Sequence, residues 1–267
     1  MLFEHRATNH GLRTTDYDPQ LYMHSRALSP GNIHLWTVGI GNGQPPDVLR
    51  ARAALLTPDE AQRADRFPRP AGRDRFVLAR GALREILAQY VGRSPSALVL
   101  GTGPHGKPML IAGDGAGDGG ASERLPEFNV SHSGDIAVVA LTADQAVGVD
   151  LEQIRSMPDA DRMAARFFSV NEYAQYCTIN PESRLDAFFR CWTRKEAYIK
   201  ARGEGLSLSL QSFDVTLTPS ERPRVLRIDD GTDEAAFWSL REFEPAAGYV
   251  GAVAARMRDV TLSSFVF

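Results

Sequence analysis

Thr57-Pro-Asp-Glu60 and Ser169-Val-Asn-Glu172 carry one signal twice, 112 positions apart. In each, a hydroxyl residue stands three positions before a glutamate, the pattern of a reciprocal helix cap, and the first adds proline at the opening helical position. Each leads into a short helix and then a longer one, expected over 73–91 and 184–202, and each longer helix stops at a glycine, Gly92 and Gly203. Working outward, a strand precedes each box, at 33–40 and at 146–151. Further strands follow each long helix, at 97–100 and 128–141 in the first half and at 212–217 and 249–255 in the second. The repeated series reads as a degenerate internal duplication. It predicts an α+β fold in which two similar lobes each pack helices on a small, mainly antiparallel sheet, with a cleft at their pseudo-twofold junction. The boundary falls near 142–146, giving an N-terminal lobe over 1–145 and a C-terminal lobe over 146–267. At the same spacing of 112, Glu196 corresponds to Arg84, so an acid-bearing helix in one lobe matches an arginine-bearing helix in the other.

Two stretches of the second half carry chemistry. Val147-Gly-Val-Asp150-Leu-Glu152 is a buried strand whose alternation sends Asp150 and Glu152 to the same side. Trp192-Thr-Arg-Lys195-Glu196-Ala-Tyr-Ile-Lys200 ends the second long helix, with Trp192, Glu196 and Lys200 on one face and Lys195 beside them. Taken singly, these also describe an ordinary acidic strand end and a solvated Glu–Lys pair one turn apart. Taken together, Asp150, Glu152 and Glu196 form an oxygen-donor set for Mg²⁺, with Mn²⁺ as a substitute. Lys195 and Lys200 then meet the phosphates such a cation holds. Asp150, Glu196 and Lys200 are the candidate catalytic residues. Glu172 is explained by its capping box, with a link to the site as the alternative.

Composition frames this without deciding it. A chain of 267 residues with 43% apolar and 24% charged content is an ordinary globule, and a net charge of −3 offers no general nucleic-acid-binding character. Two cysteines, Cys177 and Cys191, make neither a disulfide framework nor a zinc site and read as core thiols. The first thirty residues hold no apolar run, which argues against a leader or a membrane helix and leaves the cytoplasm as the expected location. Residues 113–123 read as a glycine-rich insertion, with too few oxygen donors at the right spacing for a calcium loop. Residues 63–84 carry seven arginines against two aspartates, mostly a solvated face.

Several blocks in order resemble a known family: Gly106-Lys107-Pro108, Phe128-Asn-Val-Ser131-His132-Ser-Gly134, Gly148-Val-Asp150-Leu-Glu152, Phe167-Phe-Ser169-Val-Asn-Glu172-Tyr173, Trp192 to Lys200, and Gly203-Glu-Gly-Leu-Ser207-Leu. They are similar to the signature of the 4′-phosphopantetheinyl transferases, in the long surfactin-synthetase-activating class. The resemblance implies transfer of phosphopantetheine from coenzyme A to a serine of an acyl or peptidyl carrier protein, with the active site in the cleft between the two lobes. The fused pair of lobes already supplies both sides of that cleft, which points to a monomer. It implies that Arg63, Arg75, Lys107, Ser131 and His132 hold the nucleotide, with Lys195 and Lys200 at the phosphates and Mg²⁺ on Asp150, Glu152 and Glu196. Glu60 departs from the pattern, standing where some relatives carry a lysine near the nucleotide. The alternative is a non-catalytic coenzyme A-binding or carrier-docking protein with a degenerate centre.

Overall fold

The capping boxes form as read. Thr57 accepts from the Glu60 amide while Glu60 accepts from the Thr57 amide, and Ser169 and Glu172 exchange the same two bonds. They open helices α2 (Pro58–Asp65) and α5 (Val170–Thr178) in a computed structural model that describes residues 26–103, 105–112, 125–229 and 234–267. The glycine-rich insertion expected over 113–123 lies outside the described residues. The other elements are β1 (Asn32–Gly39), α1 (Pro46–Ala53), α3 (Pro70–Val91), β2 (Val99–Thr102), β3 (Pro108–Ile111), β4 (Glu127–Ser133), β5 (Ile136–Thr142), β6 (Val147–Gln153), α4 (Ala160–Phe167), α6 (Pro181–Arg202), β7 (Phe213–Val215), β8 (Val225–Ile228), β9 (Ser239–Phe243), β10 (Tyr249–Ala255) and β11 (Thr261–Val266).

The long helices α3 and α6 each span 22 residues, open on a proline and end against a glycine in the left-handed region, Gly92 at φ 60° and Gly203 at φ 71°. Both start three residues earlier than the sequence reading, because proline's fixed φ suits the first turn. Matching their ends corrects the correspondence between the halves. Arg84 takes the place of Lys195, and Glu85, not Arg84, takes the place of Glu196. The ion pairs follow this register. Arg84 Nε donates to Glu60 Oε2 at 2.8 Å, and Lys195 Nζ donates to Glu172 Oε2 at 2.6 Å. In each half a buried cation of the long helix is tied to the glutamate of the preceding capping box. Glu60 therefore belongs to an internal ion pair, shared with Arg80 at 2.6 Å, rather than to a nucleotide site.

Two sheets carry the fold, one in the order β11-β1-β5-β4 and the other β6-β10-β9, with β2–β3 and β7–β8 as separate hairpins. Strand alternation explains the layers. Ile33 and Leu35 of β1, Val138 and Ala140 of β5, and Val147, Val149 and Leu151 of β6 meet in a core between the sheets. Trp36, Val38, Val139 and Leu141 turn outward to the core under α3, and Val250, Ala252 and Ala254 of β10 turn outward to the core under α6. The strand expected over 128–141 is a hairpin, broken at Gly134, whose φ of 55° suits glycine.

β11 returns across the expected lobe boundary to pair in parallel with β1, Trp36 opposite Phe265. One expectation is corrected, that both cysteines are core thiols. Cys191 is buried and burial pushes its thiol up, but Cys177 is exposed. No helix among the described residues is long and apolar enough to cross a membrane.

Candidate active site

The site forms where α6 lies on β6, and a missing side chain sets the approach. A Cβ on Gly148 would run into the Ala197 carbonyl and the Ala201 amide of α6. Glycine there lets the helix backbone rest on the strand. The next residues on the same strand face, Asp150 and Glu152, then lie beside Glu196 and Lys200.

Asp150 is the centre of the arrangement. It is 6% exposed, and its Oδ1 accepts from Lys200 Nζ at 2.6 Å and from Ser131 Oγ at 3.0 Å. Its Oδ2 is buried without a hydrogen-bond partner. Leaving a buried charged oxygen bare is costly unless something else satisfies it. Lys200 Nζ also donates to the Val149 carbonyl and to Ser131 Oγ, each at 3.2 Å, so its three protons converge on the strand end. Glu152 accepts from Ser133 Oγ at 2.8 Å.

The electrostatics link the three acids. Burial raises the Glu152 carboxyl above its ordinary value, with the Asp150 charge adding to the rise and the Ser133 hydrogen bond opposing it. Burial raises Glu196 too, and the charges of Asp150 and Glu152 add to that while Lys200 offsets part of it. Among the described residues no three His, Cys, Asp or Glu side chains are gathered into a cluster that could hold an ion. The donor types still suit a hard cation. They are three carboxylates: burial and the Asp150 charge raise Glu152 and Glu196, and Asp150 keeps one bare buried oxygen.

The cationic residues expected at the phosphates divide. Lys200 and Lys107 line a cleft of about 270 Å³ together with Glu196 and Asn129. Lys107 Nζ donates to the Val147 carbonyl at 2.9 Å, and burial lowers its pKa. Lys195 does not belong there. Its side chain is 0% exposed, and its ammonium is spent on both Glu172 oxygens and the Phe213 carbonyl at 2.6–2.7 Å. A helix turns by about 100° per residue, so Lys195 and Glu196 leave α6 in different directions. Glu172 also accepts from the Val215 amide, which makes it a structural residue throughout.

The nucleotide-holding set divides as well. Ser131 and His132 are neighbours on β4 and so project to opposite faces. Ser131 is buried against Asp150, while His132 is exposed. Arg75 pairs with Asp135 at the β4–β5 turn at 2.7 Å, and exposed Arg63 stacks its guanidinium over Phe76. Three residues escaped the sequence reading: Asn129, Ser133 and Gly148. The first two show only as polar side chains at every second position of a strand, Asn129-Val-Ser131-His132-Ser133.

Comparison with known proteins gives the family. The description "4′-phosphopantetheinyl transferase, N-terminal" matches residues 45–144, and "4′-phosphopantetheinyl transferase superfamily" matches residues 146–254. The 4′-phosphopantetheinyl transferase HetI of Nostoc sp. is 37% identical over 85% of this chain and 89% of its own length. A 4′-phosphopantetheinyl transferase of Bacillus subtilis is 31% identical over 61% of this chain and 67% of its own. The Sfp transferase of Bacillus subtilis strain 168 is 27% identical over 79% and 89%. Asp150, Glu152, Glu196 and Lys200, on β6 and α6, lie within the second matched region, and the chain belongs to the 4′-phosphopantetheinyl transferase family.

Proposed function

We propose that this chain moves 4′-phosphopantetheine from coenzyme A to a serine of an acyl or peptidyl carrier protein, releasing adenosine 3′,5′-bisphosphate. The observation that carries the reading is the buried, unpartnered Oδ2 of Asp150 beside Lys200 and two carboxylates of raised pKa. Asp150, Glu152 and Glu196 would hold Mg²⁺, or Mn²⁺ in its place, and the cation would supply charge stabilisation on the pyrophosphate. Lys200 adds a fixed positive charge on the same side, and Lys107 another at the cleft wall. Arg63, Arg75 and His132 serve as anchors for the nucleotide's 3′-phosphate, arginine offering the better fork.

In the transfer, the serine oxygen forms a bond to the β-phosphorus as the bond from that phosphorus to the nucleotide's bridging oxygen breaks. The serine proton passes to Glu196, directly or through a water. The fused halves supply both walls of the cleft, so the reading includes a monomer, working in the cytoplasm. The test is the intact mass of an apo carrier protein after incubation with this chain, coenzyme A and Mg²⁺. A gain of one phosphopantetheine, lost with EDTA and with Asp150→Ala, is the expected outcome. Coenzyme A binding with no gain on several carriers overturns the reading.

A further inference from the structure

The two sheets meet along β4 and β6, and the seam is unusual. No backbone ladder joins these strands; they belong to separate sheets. Instead, side chains of β4 take the amide protons of β6. Asn129 Oδ1 accepts from the Val149 amide at 2.9 Å, Ser131 Oγ from Leu151 at 3.3 Å and Ser133 Oγ from Gln153 at 3.1 Å. The register is constant, so the strands run in the same direction. Each amide that an edge strand would leave open is closed by a side chain of the other half.

The two serines do more than close the seam. A hydroxyl has one proton to give. Because Ser131 Oγ already accepts from the Leu151 amide and from Lys200, its proton goes to Asp150 Oδ1. Because Ser133 Oγ accepts from the Gln153 amide, its proton goes to Glu152 Oε2. The acceptor bond from the backbone thus aims the donor bond at the carboxylate. Each serine binds an amide one residue beyond the acid it holds. Asn129 makes the seam bond alone and touches no carboxylate.

We infer that Ser131 and Ser133 are positioning residues: they set the orientation of Asp150 and Glu152 from the opposite half of the molecule. Asn129 makes the same seam bond but holds neither Asp150 nor Glu152. With Oδ1 of Asp150 held by Ser131 and Lys200, Oδ2 is the oxygen turned free for a cation. The cation part rests on the function proposed above; the seam part does not. The arrangement couples lobe packing to the catalytic centre, since any slip of β4 along β6 rotates both acids.

Two measurements separate these parts. Amide hydrogen exchange on the metal-free full chain reads the seam. Ser133→Ala is expected to speed exchange at Gln153, and Asn129→Ala at Val149, each leaving the other amide protected. Exchange at wild-type rates at Gln153 in Ser133→Ala overturns the inference whatever the enzyme does. Mg²⁺-dependent thermal stabilisation reads the acids. Ser133→Ala is expected to raise the Mg²⁺ concentration at half-effect by about tenfold, the usual cost of removing a group that holds a metal ligand. Ser133→Thr, which keeps the hydroxyl, should restore most of it. An unchanged midpoint in Ser133→Ala overturns the positioning role. If the wild-type chain shows no Mg²⁺ response at all, the metal reading falls, and the exchange experiment still decides the seam.

Discussion

Lys195 and Glu196 are adjacent charges with opposite destinations, and their variants should behave accordingly. Lys195→Met leaves the Glu172 carboxylate buried at 2% exposure without its counter-ion. Breaking one side of a buried pair costs about 3–5 kcal/mol, so denaturant unfolding should show a loss of that size. The variant that folds should keep its KM for coenzyme A. Adding Glu172→Gln should return part of the loss, because the orphaned charge is gone. Glu196 runs the other way. Its folded pKa is raised, so the folded protein holds a proton that the unfolded chain has released, and stability falls as pH rises through the folded value. Glu196→Gln should therefore raise the Tm of the metal-free protein by about 2–4 °C near neutrality, with the gain vanishing in acid, where Glu196 is already protonated. The same substitution should remove the acid limb of the kcat/KM profile. Retained turnover with an unchanged profile would exclude Glu196 as the base. The sequence displayed both residues as charges on one helix. Which one the core takes depends on Glu172 and the Phe213 carbonyl, 23 and 18 positions away in the chain, and no local pattern carries that.

At the scale of elements, what was legible was what hydrogen bonds close within a few residues. The capping boxes, the proline-led long helices and their glycine stops all rest on contacts inside one turn, so the sequence displays them directly. The acidic strand was legible too, because alternation sends Asp150 and Glu152 to one side whatever packs there. The reason for the glycine between Val147 and Val149 was not legible, since it is the backbone of α6 approaching from fifty residues away. Gly148→Ala tests that approach. The added methyl meets helix backbone, which cannot swing aside as a side-chain tip can. The expected cost is about 1–3 kcal/mol of overpacking strain. The larger effect should be on chemistry, because α6 carries Glu196 and Lys200 away from Asp150 as it moves off. Transfer should fall by more than tenfold while the chain remains folded by circular dichroism. A fully active Gly148→Ala would show that the helix–strand spacing is not what assembles the site.

Across the whole molecule the chain closes on itself in a way the repeat pattern hid. The expected series of two similar halves ends at β10, and it assigns the last residues to the second half. The structure sends them back. β11 pairs with β1 over six residues, from Asn32 opposite Thr261 to Thr37 opposite Val266. Phe265 stacks on Trp36 at 4.8 Å between ring centroids, and Arg26 lies over both rings. The signal was weak because Thr261-Leu-Ser-Ser-Phe-Val alternates poorly, and its partner lies more than two hundred residues away. Its consequence is mechanical. Side chains at the β4–β6 seam, the core between the sheets and this returning strand all bind the halves together, so neither half is complete alone. Ending the chain at Val260 would strip the edge from β1 and uncover Trp36. A loss on the order of 3 kcal/mol or more is expected, the size of removing one packed aromatic together with a strand of hydrogen bonds. Tryptophan emission should shift to the red, and the unfolding transition should lose cooperativity across both halves, the second sheet losing the surface it packs on. If the shortened chain instead melts at the full-length temperature, β11 is an appendage, and the halves are joined by the core and the seam alone.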